Sequence, residues 1–517
     1  MMMNLKTVIS AINARFVHSS LSLLYLKSFC GEDYDITLKE FSVNNSVRCI
    51  YDELLSENAV VYAFSCYIWN VEITLKVAEM LKSAKPDCRI VLGGPEVSYD
   101  AEDFLSRSGF IDNIILGEGE IPFKKLLDTL RCGEEPEKVL RCESPLDLSS
   151  VKLPYTAESL SDRKNKIIYF ETSRGCPFCC AYCLSCVQGG VRYFPLDYVF
   201  SGLHLFFDRD IPLVKLIDRT FNSDPERACE IIEFIIKNSR GTRVHLELAP
   251  HLLTDRITEL LGNAPKDIFQ LEMGIQSTNP QTLKAVNRYI DLGKAERNIR
   301  KLREYNNLHI HLDLIAGLPY EDWDSIKESF NFVYSLKPHM LQLGFLKVLR
   351  GSNTDTAVLK HQHFAPYEVI STNWLSAEEI HKLHKIETAV ERLYNSGAFE
   401  RTMALETTDD PFDTFEKLSH LIDESTSRTM LYEILYRYAG DDAIMPLISD
   451  FMLNNRGAVL PSFAKKSEIK NFKKRIYEFL NGADINNTRF ECVFGKVLYA
   501  NYVERTVTDV TGFFTAP

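Results

Sequence analysis

Short β-branched runs alternate with helix-length stretches twice along this 517-residue chain, and that rhythm admits few folds. In the first pass the expected strands are 7–9, 35–41, 59–64, 89–92 and 113–116. Helices between parallel strands must cross over the sheet, so the pattern predicts an α/β doubly wound parallel sheet with ligand loops at the strands' carboxyl ends. Those loops carry His18, Ser65, Gly93-Gly94-Pro95 and Gly117-Glu118-Gly119-Glu120. Glycine there either lets backbone approach a bulky ligand or makes a tight turn. In the second pass, strands at 167–172, 213–218, 244–248, 269–275, 310–315 and 341–347 predict a partial (β/α)6 TIM-like barrel. Past residue 351 the alternation stops. Helical spacing over 376–396, 413–423, 427–438 and 468–480, with Ser376 and Ser427 as caps, predicts a mainly α region. A chain this long exceeds one hydrophobic core, and the expected domains are 1–140, 164–350 and 351–517, with a polar, proline-containing linker over 141–163.

Five of the 13 cysteines fall between Cys176 and Cys186, directly after an expected strand; the others are scattered and read as structural. Three thiolates so close together can grip one face of a cubic iron–sulfur cluster and leave one iron open to a ligand. Zinc is the alternative, but a structural zinc site wants four ligands in two separated pairs, and no partner pair appears later in the chain. The spacing has two registers, Cys176/Cys180/Cys183 and Cys179/Cys183/Cys186. Only the first places an aromatic residue, Tyr182, just before its third cysteine.

With Ser173-Arg-Gly-Cys176-Pro-Phe in front, the segment resembles the radical S-adenosylmethionine superfamily, and the resemblance selects the first register. It implies a 4Fe-4S cluster on Cys176, Cys180 and Cys183, whose open iron chelates the amino and carboxylate groups of S-adenosylmethionine. Cys179 and Cys186 are then spare thiols. The likeness extends over about 167–350. Glu247-Leu-Ala-Pro250 resembles the third-strand end of oxygen-independent coproporphyrinogen oxidase and its relatives, where the glutamate helps to hold the cofactor. Gly274-Ile-Gln276-Ser277 with Arg288 resembles the next element, implying Gln276 on the ribose and Arg288 on the methionine carboxylate. In Asp313-Leu-Ile-Ala-Gly317-Leu-Pro319 the resemblance places Asp313 at the ribose. Many relatives carry Gly-Gly-Glu after the second strand; here Leu216-Ile-Asp218-Arg219 stands instead, and Asp218 is read as the substitute for amino-group recognition. Reductive cleavage of a sulfonium needs a low-potential cluster, and iron–sulfur potentials reach about −700 mV.

The amino-terminal region resembles the flavodoxin-like cobalamin-binding domains that precede such barrels, through Ala63-Phe-Ser65-Cys-Tyr67, Val91-Leu-Gly93-Gly94-Pro95-Glu96 and the loop at Gly117. The resemblance implies bound cobalamin contacted by His18, Ser65, Gly93, Gly94 and Gly117. The Asp-x-His-x-x-Gly loop that supplies a lower cobalt ligand elsewhere is missing, Ala11-Ile-Asn13-Ala-Arg15-Phe-Val-His18 standing in its place. His18 is therefore read either as a cobalt ligand or as a hydrogen-bonding residue near a helix start. The region past 351 resembles an uncharacterised domain found behind such barrels.

A net charge of -12 opposes a phosphate-binding surface, so nucleic acid is not an expected partner. The apolar stretch 59–69 is too short to span a membrane and residues 1–10 lack a signal pattern, so a cytoplasmic enzyme is expected. The leading function is a cobalamin-dependent methyltransferase acting on an unactivated carbon or on phosphorus. Its substrate would be a small molecule or peptide, and its electrons would come from flavodoxin or ferredoxin. Hydrogen abstraction, rearrangement or cyclisation without methyl transfer is the alternative, followed by methylthiolation and by a non-enzymatic iron–sulfur or cobalamin sensor.

Overall fold

A computed structural model describes residues 5–185, 190–407, 409–470, 472–480 and 485–515, so Cys186 lies outside the described residues. The chain divides into two compact units. One comprises Met1–His311, Gly317–Glu321 and Phe345–Trp374, and the other Leu312–Ala316, Asp322–Gly344 and Leu375–Pro517.

The first sheet consists of β1 (Thr7–Asn13), β2 (Ile36–Ser42), β3 (Val61–Ser65), β4 (Arg89–Gly93), β5 (Asn113–Leu116) and β6 (Val139–Arg141), in the order β2-β1-β3-β4-β5-β6. Every neighbouring pair is parallel. Period-two alternation sends Val8, Ile12, Tyr62, Phe64, Ile90 and Leu92 into one apolar layer, and Ile9, Ala11, Val61, Ala63, Val91 and Ile115 into the other. Both faces are thus covered, as a parallel sheet requires. The order reverses between β1 and β3, which puts the ligand crevice at the carboxyl ends of these strands. β1 runs to Asn13, four residues past expectation, because Ser10-Ala-Ile-Asn13 is buried between two strands although its composition is a weak strand signal.

Residues 141–163 are no loose tether. Leu146, Leu148, Val151, Tyr155 and Leu160 are buried, and Tyr155 Oη donates to the carbonyl of Tyr169 at 2.7 Å. β6 lies at this segment's start and pairs with β5; three residues were too short to register as a strand in the sequence.

The second sheet holds β7 (Ile168–Phe170), β10 (Leu213–Leu216), β11 (Arg243–Glu247), β12 (Phe269–Gln276), β13 (His309–Ala316) and β14 (Met340–Phe345), in the order β14-β13-β12-β11-β10-β7. It is the expected open six-stranded barrel sheet. Between β7 and β10 an antiparallel pair, β8 (Ser173–Arg174) and β9 (Arg192–Tyr193), flanks the cysteine segment.

In the second unit, helices Ala377–Val390, Pro411–Ser419, Arg428–Ala439 and Ile444–Asn454 confirm a mainly helical region. Ser376 forms a capping box with Glu379, and Ser427 accepts from the backbone N–H of Met430, as their positions predicted. An antiparallel sheet of Thr488–Val493, Lys496–Asn501 and Thr506–Asp509 was not expected. Its first turn, Phe494-Gly495, has both residues at positive φ (49° and 74°), a hairpin signal that Phe in the first turn position disguised.

Candidate active site

Two anchors hold the cysteine loop. At its start, the Asp218 carboxylate accepts hydrogen bonds from the backbone N–H and hydroxyl of Thr172, at 3.2 and 2.7 Å, and from the Ser173 hydroxyl. Burial raises the Asp218 pKa, with these hydrogen bonds pulling the other way. Arg227 adds bonds to the carbonyls of Thr172 and Phe194. Gly175 takes φ +96°, and a Cβ there would collide with the carbonyl of Gly190. At the loop's end, the Ala181 N–H donates to the Val286 carbonyl at 2.9 Å, and Asn287 Nδ2 donates to the Cys179 carbonyl at 2.8 Å.

Between the anchors stand the thiols of Cys176, Cys180 and Cys183, all free, whereas Cys179 is disulfide-bonded. Cys176 Sγ lies 3.4 Å from the Thr220 hydroxyl. Arg288 Nη1 donates to Tyr182 Oη at 3.3 Å and approaches Cys180 Sγ at 3.7 Å, while its Nη2 donates to the carbonyl of Gly274. Among the described residues no set of three or more His, Cys, Asp or Glu side chains converges on a single metal ion.

The strand ends place the remaining expected contacts. Gln276 ends β12 at φ +72°, and its amide lies where a Cβ on Gly274 would be. Its Oε1 is buried with no hydrogen-bond partner among the described residues. Ser277 is fully buried and its hydroxyl accepts from the Asn279 N–H at 2.9 Å, so it shapes the turn into the next helix. Glu247 ends β11. Burial, reinforced by Glu272 and Asp218 against the opposing pull of Arg219, pushes its carboxyl up to about 7. Below it on the same barrel-facing rows, His245 Nε2 meets Glu272 Oε2 at 3.2 Å and His311 Nε2 meets His309 Nδ1 at 2.8 Å. Burial first, then His309, brings His311 down to about 4. Asp313 lies on β13 in the second unit.

On the first sheet, Ser65 and Gly93 are register partners at the carboxyl ends of β3 and β4, and Gly117 follows β5. Gly94 (φ +108°) is required by backbone packing, since a Cβ there would stand 2.5 Å from the Cys66 carbonyl. Gly117 (φ +69°) faces open space. His18 Nδ1 shares a 2.6 Å hydrogen bond with Tyr169 Oη, leaving one ring nitrogen uncommitted by that contact.

These residues fit the cofactors the sequence implies. Three free thiols on one anchored loop are a cluster donor set. The orphaned Gln276 Oε1 suits a hydroxyl donor such as a ribose, and Arg288 offers a cation to a carboxylate. The strand-end groove with open Gly117 suits a bulky ligand.

Sequence reasoning missed three things. Asp218 is spent on the loop's start, with both oxygens engaged. Asn287, next to Arg288, holds the loop's backbone. The glutamates of Gly117-Glu118-Gly119-Glu120 bind Arg174. No local signal pointed to the last, since Glu120 and Arg174 lie 54 residues apart in the sequence.

Residues 7–127 match the B12-binding domain, 170–333 the radical SAM superfamily, and 358–511 a protein family of unknown function, DUF4080. The chain thus carries a B12-binding domain ahead of a radical SAM domain, and the cofactors these domains imply are a 4Fe-4S cluster, S-adenosylmethionine and cobalamin. It is similar to a 2-(S-pantetheinyl)-carbapenam-3-carboxylate methyltransferase from Streptantibioticus cattleyicolor, 26% identical over 54% of this chain and 45% of that protein. The cobalamin-dependent radical SAM methyltransferase TokK of Streptomyces tokunonensis is also 26% identical, over 55% of this chain and 47% of its own length. The chain thus spans about half the length of these curated relatives. Its fold is similar to that of the cobalamin-dependent S-adenosylmethionine radical enzyme OxsB, with a TM-score of 0.58 at 14% identity, covering 92% of this chain and 75% of that one.

Proposed function

We propose that the chain transfers a methyl group from S-adenosylmethionine to an unactivated carbon or phosphorus of a small molecule or peptide. The observation that carries this reading is the placement, in one compact unit, of a B12-binding sheet and a loop with three free thiols at Cys176, Cys180 and Cys183. The relatives named as methyltransferases support it.

When bound, the cluster supplies the electron that breaks the sulfonium's carbon–sulfur bond, and cobalamin carries the methyl group. The protein's own residues set the conditions. Cys176, Cys180 and Cys183 would hold the cluster; Arg288 and Glu247 would orient the methionine end of the cofactor and Gln276 the ribose, a role the resemblance also gives to Asp313. Asp218 and Ser277 act at one remove, fixing the loops that carry these groups. Ser65, Gly93, Gly94 and Gly117 would form the cobalamin edge, and His18, whose Nδ1 bonds Tyr169 Oη, would have its other ring nitrogen for cobalamin. An external low-potential donor such as flavodoxin or ferredoxin supplies two electrons per turnover. The 11 free cysteines among the described residues favour a reducing, cytoplasmic setting, and the charge of -12 disfavours nucleic acid as substrate.

A second reading keeps radical cleavage but no methyl transfer. It needs only the cluster, S-adenosylmethionine and the groups that would hold them, Cys176, Cys180, Cys183, Arg288 and Gln276. Product analysis after anaerobic reconstitution separates the two. Methyl transfer consumes two S-adenosylmethionine and yields S-adenosylhomocysteine, 5′-deoxyadenosine and methionine in equal amounts. Deoxyadenosine and methionine without S-adenosylhomocysteine would establish the second reading instead.

A further inference from the structure

Arg174 stands two residues before Cys176, yet its guanidinium is directed away from the thiols and into the first domain. Its Nη2 donates to Glu120 Oε1 at 2.7 Å, its Nη1 lies 3.4 Å from Glu118 Oε1, and its Nε donates to Glu171 Oε2 at 2.9 Å. The Tyr25 ring covers it at 5.0 Å and the Phe194 ring at 5.7 Å. Its strand partner Arg192 also binds Glu118 and donates to the Leu146 carbonyl at 2.8 Å. The side chains of Arg174, Glu118 and Glu120 are only 10%, 11% and 6% exposed.

Three carboxylates and two guanidiniums are costly to bury, and an apolar junction of the same volume would hold two domains together at less expense. What the ionic junction adds is registry, since a forked guanidinium fixes carboxylates in direction as well as distance. The two ends of this junction are the loop of Gly117, on the cobalamin edge, and the loop of Cys176, on the cluster. Little slack separates Arg174 from Cys176: the one intervening residue, Gly175, is pressed against the carbonyl of Gly190.

Resting on the cobalamin reading above, we propose that Arg174, with Glu118 and Glu120, is a positioning residue through which occupancy of the cobalamin edge and of the cluster loop favour each other. Such coupling is reciprocal by thermodynamic necessity, and couplings of this kind span about 5- to 150-fold. A junction that merely glued the domains would lower cobalamin affinity equally whether or not the cluster is present.

The test is a visible-absorbance titration of the full chain with hydroxocobalamin, in iron-free and in cluster-reconstituted protein. For the native sequence the expected result is binding about tenfold tighter when the cluster is present. In the Glu118→Gln/Glu120→Gln variant this ratio falls to about one, while iron content stays near the native value. In the same samples, cobalamin changes the electron paramagnetic resonance spectrum of the reduced cluster in the native protein and leaves it unchanged in the variant. The single Glu118→Gln variant serves if the double one folds poorly, and its ratio should be intermediate. A ratio of one in the native protein, or the same ratio in protein and variant, overturns the coupling while leaving the cobalamin reading intact. No hydroxocobalamin binding by the native protein overturns both.

Discussion

Arg288 and Cys180 face each other, guanidinium Nη1 to sulfur at 3.7 Å, with Tyr182 Oη 3.3 Å from the same nitrogen. An arginine 108 positions downstream thus touches the loop's second thiol and also the Gly274 carbonyl at the end of β12. One side chain joins the loop to the strand end on which Gln276 waits with an unpartnered oxygen.

Removing that cation should uncouple cofactor binding from cluster assembly. Arg288→Met is expected to retain its iron but to bind S-adenosylmethionine at least about tenfold more weakly, about 1.4 kcal/mol, in equilibrium dialysis. Equal affinity in the variant would refute the role assigned to Arg288.

Gly274 leaves no room for a methyl group, because a Cβ would meet the Gln276 amide and come within 3.4 Å of Arg288 Nη2. Because these atoms are the ends of flexible side chains, Gly274→Ala should displace the Gln276 amide at little cost in stability and weaken S-adenosylmethionine binding. A variant that binds as tightly as the native protein would show that the position of this amide does not matter.

Asp218 stabilises the loop's first residues through three hydrogen bonds and lies too deep for water to replace them. Asp218→Ala should cost about 1–3 kcal/mol and lower the iron retained after reconstitution. Full iron loading in that variant would place the loop's anchor elsewhere.

Glu247 and His311 give opposite pH dependences. The Glu247 carboxyl is raised from 4.5 to about 7, so the stability of its protonated form is fully present below pH 4.5 and is lost as pH rises through about 7. His311 is lowered from 6.5 to about 4, so the stability of its neutral ring is present above pH 6.5 and is lost as pH falls through about 4. Relative to Glu247→Gln, the native protein should lose at most about 3 kcal/mol between pH 4.5 and 7; relative to His311→Gln it should gain over the lower part of that range, up to about pH 6.5, and stay level above it. Thermal midpoints across that interval decide, and curves parallel to both variants would contradict the assignment.

How far the sequence revealed this architecture depended on the kind of signal. β1 to β5 and the six barrel strands were visible because buried parallel strands are nearly continuous apolar runs separated by helix-length spacers. The cluster thiols were visible because four cysteines in eight residues, three of them at C-x-x-x-C-x-x-C spacing, have few other uses. Partnership was not visible. Arg174 reads as one letter of a motif, and nothing local shows that Glu118 and Glu120, more than 50 residues away, fold against it. Asp218 read as a ligand contact because a carboxylate at a strand end looks the same whether it faces a cofactor or receives Thr172 and Ser173. The carboxy-terminal sheet escaped notice because its strands are short and its Phe494-Gly495 turn departs from the usual Asn-Gly signal.

The most direct test of the whole account is anaerobic reconstitution with iron and sulfide, followed by dithionite and S-adenosylmethionine. The expected result is about four irons per chain and formation of 5′-deoxyadenosine, both lost in Cys176→Ala, Cys180→Ala and Cys183→Ala alike. Native protein that carries a single zinc ion, or that loads iron yet yields no 5′-deoxyadenosine, would contradict it.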